Sequence, residues 1–196
     1  DNAILYRFST APLVNATGTT AGGDALVVNA GGSLDLNGNS QTTGTLSSVG
    51  TLPGAGGIVT NSDAGAPVNF YSVQGAAATF AGQINGNLNF YRTGAAALLT
   101  LVDNSQFTGN ATFLGGITAL VDQGRLSGMG AGDTISLRNA ALRWDDSGIQ
   151  GMDSSSATAR ISSSVAFSLD GGAFEFISRG ATSGVATLGD LGLLGG

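Results

Sequence analysis

The chain has 196 residues and a net charge of −6, with 33 glycines, three prolines and only 10% charged residues. Its carboxylates are scattered and its seven basic residues are all arginine, so charge argues against an anionic membrane as partner and excludes nucleic acid. Cysteine, histidine and lysine are absent, which excludes disulfides, zinc clusters, P-loop chemistry and the Ser-His-Asp, Cys-His and Ser-Lys catalytic groups.

The remaining composition predicts an all-β chain of short strands and tight turns, rich in Gly, Ser, Thr, Asn and Ala. The first strand pair is predicted at 4–8 and 13–14, interrupted by Pro12, which cannot donate to a ladder. The N-terminus lacks the pattern of a signal peptide, so we expect that one was removed or that the chain belongs to a longer protein. Because no run of about 20 apolar residues occurs, no membrane-spanning helix is predicted.

Three stretches share a second pattern, in which two short alternating strands flank a turn of Asn, Asp, Gly or Ala. They lie at 26–37, 135–144 and 167–176. Since Asn, Asp and Gly accept left-handed backbone conformations, each turn predicts a sharp corner between consecutive strands. Further short strands are predicted between and beyond these corners, at 41–46, 58–61, 111–113 and 117–121.

A duplicated block at 68–101 carries the strongest structural signal. Val-Asn-Phe-Tyr at 68–71 returns as Leu-Asn-Phe-Tyr at 88–91, an offset of 20 residues, and Gly-Ala-Ala-Ala returns after 19. A period in this range is typical of a solenoid, in which each coil buries its apolar face against its neighbours. Stacked in register, Phe90 would lie over Phe70 inside and Tyr91 over Tyr71 outside, roughly 4.8 Å apart.

The predicted fold is therefore a single parallel β-helix over 1–196, with roughly eight or nine rungs at 20 to 25 residues per coil. The alternative is a sandwich of antiparallel hairpins whose strands are similar by coincidence. A polar loop is predicted to project at 145–159. The apolar stretches 185–188 and 191–194 have no polar cover, so we expect the chain to continue there or to stack on another molecule.

Candidate functional residues are few, and no catalytic, cofactor or metal site is predicted. Asp145 and Asp146 are the only adjacent acids and are expected in a solvated turn, while Glu175 is expected to point outward. Tyr71 and Tyr91 could form an outer aromatic strip for sugar or for a neighbouring molecule, or could be ordinary cross-strand packing. Trp144 is expected in the core by parity with Leu142, and the glycine-rich stretches 22–24 and 128–133 are expected to be turns.

The segment 88–118 resembles the passenger-associated repeat of bacterial autotransporters. The resemblance rests on Arg92-Thr93-Gly94, alternating Leu and Thr at 98–101, Phe107-Thr108-Gly109 after an Asn-containing turn, and Gly115-Gly116 before another strand. An extra alanine at 94–97, and Asn110 where a second glycine is usual, depart from that pattern. The stretch 34–46 is similar to a segment that precedes such repeats, and 166–172 together with 185–188 is similar to one that follows them. The resemblance implies a right-handed parallel β-helix exposed at a bacterial surface.

The leading functional hypothesis is a non-enzymatic exported rod or adhesive scaffold, located outside the cell or on the bacterial surface. Its expected partners are other protein molecules, met through the solenoid ends, or ligands on a host or cell surface. A second hypothesis is a subunit that stacks end to end into a filament, sheath or surface layer. A third is a carbohydrate-active β-helix that uses Asp145, Asp146 and Glu175.

Overall fold

The computed structural model describes residues 5–7, 25–94, 97–148, 160–178 and 187–194. These residues form short strands and no helix, so the prediction of an all-β chain is confirmed for them. In chain order the strands are β1 (Leu5–Arg7), β2 (Leu26–Val27), β3 (Ser33–Asp35), β4 (Gln41–Thr43), β5 (Leu46–Ser47), β6 (Ile58–Asn61), β7 (Val68–Val73), β8 (Ala78–Phe80), β9 (Gln83–Gly86), β10 (Leu88–Thr93), β11 (Leu98–Leu101), β12 (Asn104–Phe107), β13 (Ala111–Leu114), β14 (Ile117–Leu120), β15 (Arg125–Leu126), β16 (Thr134–Arg138), β17 (Ala141–Asp145), β18 (Ala166–Asp170), β19 (Ala173–Ile177) and β20 (Leu191–Leu193).

The strands form three long parallel sheets and one short pair. Sheet 1 has the order β1-β3-β6-β9-β12-β15, sheet 2 the order β4-β7-β10-β13-β16-β18-β20, and sheet 3 the order β8-β11-β14-β17-β19. The pair β2-β5 continues the line of sheet 3, because the N–H of Ser48, just after β5, donates to the carbonyl of Thr79 in β8 at 3.0 Å. Every pairing between these strands is parallel.

Consecutive strands never pair with each other in the described part of the chain. From β6 to β17 the chain passes through sheets 1, 2 and 3 in that order four times, and each strand from β6 to β14 pairs with the strand three places further along. We call one such passage a coil. The alternative of antiparallel hairpins is therefore wrong, because a hairpin pairs neighbours along the chain.

The duplicated block pairs in the predicted register. Val68 lies opposite Leu88, Phe70 opposite Phe90 and Tyr71 opposite Tyr91 along β7 and β10. The phenylalanine ring centroids are 5.9 Å apart and those of the tyrosines 4.6 Å. The offset of 20 residues is thus the length of one coil at this point.

The core is a continuous column of apolar side chains between the three sheets. Along β7 and β10 the residues alternate between buried and half-buried, as expected for strands with one face inward. Phe90 is fully buried, and its ring centroid lies 5.9 to 6.2 Å from those of Phe70, Phe107 and Phe113. Trp144 is fully buried, as parity predicted. Burial of each such ring contributes about 1.5–3 kcal/mol to folding.

The three predicted corners are all present. They lie between β2 and β3, between β16 and β17, and between β18 and β19. Gly31, Asn139 and Gly171 at these corners have φ values of 81°, 48° and 62°, which confirms the left-handed conformations that the turn residues predicted. The glycine-rich stretch 128–133 is also a turn, since the Gly130 N–H donates to the Asp133 carboxylate at 2.8 Å.

Several predicted segments fall partly outside the described residues. Strand β1 covers part of the segment 4–8, whereas 13–14, 22–24, 149–159 and 185–186 are not described. The predicted loop begins later than expected, because Asp145 is the last residue of β17. Near the C-terminus, β20 pairs with β18, and Leu191 and Leu193 are 57% and 73% exposed.

Candidate functional site

Tyr71 and Tyr91 lie on the outer face of sheet 2. Both are half-buried, and their rings stack at 4.6 Å with an interplanar angle of 23°. Their positions in register define a line of outward side chains that we call the tyrosine row: Thr42, Tyr71, Tyr91, Thr112, Ser136 and Ser168. The stacking is the cross-strand packing that the sequence analysis gave as one of two alternatives for this pair. A role in binding sugar or another molecule stays a prediction.

A second line on the same face, the asparagine row, consists of Ser40, Asn69, Asn89, Asn110 and Thr134. The Asn89 side-chain amide donates to the Asn69 side-chain oxygen at 3.0 Å. The backbone N–H groups of Asn110 and Thr134 donate to the side-chain oxygens of Asn89 and Asn110 at 2.9 and 2.8 Å. These bonds run from coil to coil, so the row satisfies backbone donors and helps to fix the register.

The three candidate acids have separate partners. Asp145 accepts hydrogen bonds from the backbone N–H and the hydroxyl of Ser147 at 2.9 and 2.6 Å. Glu175 points outward as predicted and forms an ion pair with Arg143 at 2.8 Å, with 39% of its side chain exposed. Asp146 is only 5% exposed, so the expectation of a solvated turn is wrong for it. The reason is a buried arginine that pairs with its carboxylate.

That arginine is Arg160, which is fully buried. Its Nε donates to Asp146 Oδ1 at 2.8 Å, and the Trp144 indole N–H donates to the same oxygen at 3.1 Å. Its terminal nitrogens donate to the backbone carbonyls of Gly124 at 2.5 Å and Asp145 at 3.3 Å. Burial lowers the pKa of Arg160 most strongly, whereas the hydrogen bond and charge of Asp146 act to raise it.

A second buried cation, Arg92, lies where sheet 2 turns into sheet 3. Its guanidinium donates to the carbonyls of Gly94 and Ala97 in its own coil and of Gly115 in the next. Within the described residues no carboxylate pairs with it, and its Nε has no partner. Burial lowers its pKa. One side chain thus joins the turn between β10 and β11 to the turn between β13 and β14 in the next coil.

Sequence reasoning missed both arginines, for different reasons. The alternation in β10 places Arg92 on the same inward face as Leu88 and Phe90, so parity could have identified it. Arg160 and Asp146 are separated by 14 residues, and both lie outside the strands. No spacing rule for a strand or a helix connects them.

We expect Arg92→Lys to lower the free energy of unfolding by about 1–3 kcal/mol, because the three N–H groups of lysine share one nitrogen, whereas Arg92 reaches its three carbonyls through two separate terminal nitrogens. The measurement is urea unfolding followed by circular dichroism.

Gly116 supplies a further check, since a Cβ there would overlap both terminal nitrogens of Arg92. Gly116→Ala should therefore cost less in an Arg92→Met background than in the original chain. Equal costs in the two backgrounds would contradict this packing.

The described residues contain no group of three or more Asp, Glu, His or Cys side chains placed to hold a metal ion. A search of the same residues finds no helix with the length and apolar character needed to cross a membrane. No protein-family model, no curated protein and no solved structure matches this chain.

Proposed function

We propose that the three sheets are the walls of one right-handed parallel β-helix. The chain passes through sheets 1, 2 and 3 in a constant order, which supports this proposal. With that order, every connection between parallel strands turns in the same direction around the core. Connections between parallel strands are right-handed in nearly all known cases. Sheet 2 has seven strands among the described residues, and β1 adds a coil before β4, which is consistent with roughly eight rungs.

We further propose that this helix serves as a non-enzymatic rod or scaffold on a bacterial surface, of the autotransporter-passenger type. The observation that carries the proposal is the uninterrupted column of buried side chains, which makes each coil depend on its neighbours and gives a stiff body. The partners found for Asp145, Asp146 and Glu175 support a structural role for these acids. The absence of cysteine suits export in an unfolded state.

An export assay tests this proposal. The chain is fused between a bacterial secretion signal and an autotransporter translocator, and surface exposure is followed by antibody labelling of intact cells. We expect labelling together with resistance to added protease, since a passenger must fold after it has crossed the outer membrane. The same fusion without the signal is the control. Retention inside the cell, or complete degradation at the surface, would refute the proposal.

A second candidate function is a subunit that assembles end to end. It is favoured by β20, the last described strand of sheet 2, where Leu191 and Leu193 are 57% and 73% exposed, and by Leu194 just after it, which is 55% exposed. An exposed apolar strand edge is a template for pairing with another chain.

Light scattering over a rising concentration series separates the two candidates. Assembly through β20 predicts growth with concentration that is abolished by Leu191→Lys with Leu193→Lys, because charge on the edge opposes pairing. The matched control places lysine at Thr100, on the outer face of sheet 3. A chain that stays monomeric at high concentration would rule out assembly.

A further inference from the structure

The tyrosine row changes in size directly after Tyr91. The ring centroids of Tyr71 and Tyr91 are 4.6 Å apart, close to the roughly 4.8 Å between neighbouring strands, so the rings stack face to face along the row. The second face of Tyr91 therefore points toward the next positions of the row, Thr112 and Ser136. Neither of these residues has a ring, so the tyrosine stands above them as a flat wall. We call this place the Tyr91 step.

Hydrogen-bonding groups lie at the foot of the step. Thr112 and Ser136 are half-buried, and each carries a hydroxyl that can donate and accept. Asn110, beside Thr112 in the asparagine row, is exposed, and its side-chain oxygen accepts the Thr134 N–H at 2.8 Å. An asparagine has two donors on its amide nitrogen, and these remain available to a ligand. The step thus combines an aromatic face with short polar side chains.

The outer face of sheet 2 is uncharged up to the step. Between residues 25 and 102 the chain has three charged residues, Asp35, Asp63 and Arg92, and the first and last of them are buried. Arg138, at the end of β16, is the first charged side chain on this face. The outward side chains of β4, β7, β10 and β13 are Thr42, Asn69, Tyr71, Val73, Asn89, Tyr91, Thr93, Thr112 and Leu114. Since the net charge of −6 also disfavours an anion, the step fits an uncharged ligand.

We infer that the Tyr91 step binds a neutral oligosaccharide. One face of a hexose ring is lined by C–H groups, which pack against an aromatic ring, and its hydroxyls both donate and accept hydrogen bonds. Asn110 and Thr112 supply the matching polar groups beside the Tyr91 face. A protein partner would need a broad core of apolar side chains, whereas the neighbours of this face are short hydroxyl side chains. The inference goes beyond the proposed scaffold function and is tested on the isolated chain, so binding and export fail independently.

An array of oligosaccharides tests the inference. The purified chain is applied to neutral oligosaccharides of glucose, galactose, mannose and N-acetylglucosamine, with acidic oligosaccharides on the same array. Each sugar that binds is then titrated by isothermal calorimetry. We expect binding to at least one neutral sugar, whose C–H protons shift in nuclear magnetic resonance spectra because they lie over the ring of Tyr91. Binding to none of the neutral sugars, or to acidic sugars alone, would overturn the inference.

Two matched variants locate the site. Each adds a tyrosine to the stack, Thr112→Tyr over the step and Thr42→Tyr on the other side of the tyrosine pair. We expect Thr112→Tyr to weaken sugar binding by about tenfold or more, because the new ring covers the face of Tyr91, and Thr42→Tyr to change it by less than about twofold. Thermal unfolding checks that both variants fold. If Thr112→Tyr does not fold, Tyr91→Leu takes its place, since leucine is apolar but has no flat ring. Equal sugar affinities in the step variant and the Thr42→Tyr control would overturn the assignment to the Tyr91 step.

Discussion

Asp146→Ala is expected to lower the free energy of unfolding by about 3–5 kcal/mol, the cost typical of breaking a buried ion pair from one side. The carboxylate accepts hydrogen bonds from both Arg160 and Trp144, and all three side chains are buried. Without it, the arginine charge and the indole N–H would remain in the core without that acceptor. Denaturant unfolding followed by circular dichroism and tryptophan fluorescence measures the loss.

Glu175→Ala is the matched control for this prediction. Glu175 also pairs with an arginine at 2.8 Å, but the side chains of this pair are 28% and 39% exposed. Exposed pairs contribute about 0–1 kcal/mol, so the control should lose little. Replacing both Asp146 and Arg160 by apolar residues should cost less than the two single changes added together. Equal losses for Asp146→Ala and Glu175→Ala would contradict the burial of the Asp146–Arg160 pair.

Phe90→Ala, as a single change, is expected to lower the free energy of unfolding by about 3–5 kcal/mol. Phe90 is fully buried and contacts rings above, below and beside it in the column. Its removal leaves a cavity that parallel sheets on three sides cannot collapse to fill. The measurement is the free energy of unfolding in urea.

Gln106→Ala is the control for the phenylalanine, because Gln106 precedes the buried Phe107 but is itself exposed. A surface change of this kind should stay within about 0.5 kcal/mol. If Phe90→Ala also stayed within that range, Phe90 could not be at the centre of a packed column.

The sequence predicted the architecture well where a local rule and a repeat agreed. The period of 20 residues and the alternation around Phe70 and Phe90 together determine which residues face each other, and the structure has that register. The turn residues at Asn139 and Gly171 predicted corners for the same reason, since their left-handed conformations are local properties.

The buried charges could not be predicted by such rules. Asp146 follows a strand in a polar stretch, and nothing near it in the sequence indicates an arginine on the returning chain. Their contact arises only when β17 and the Arg160–Ile161 segment take neighbouring positions on the coil. Tyr71 and Tyr91 were correctly predicted on the outside, and their stacking is the cross-strand packing expected of neighbouring aromatic side chains.

The central claim is that the chain winds in coils, each covering the one before, and distances along the tyrosine row test it most directly. The chain has no cysteine, so spin labels attach only at introduced positions. Labels at Thr42 with Ser136 and at Thr42 with Ser168 span four and five strand spacings of sheet 2. Double electron–electron resonance should give about 19 and 24 Å, one spacing apart. Two distances that are equal, or that shorten from the first pair to the second, would contradict the coil.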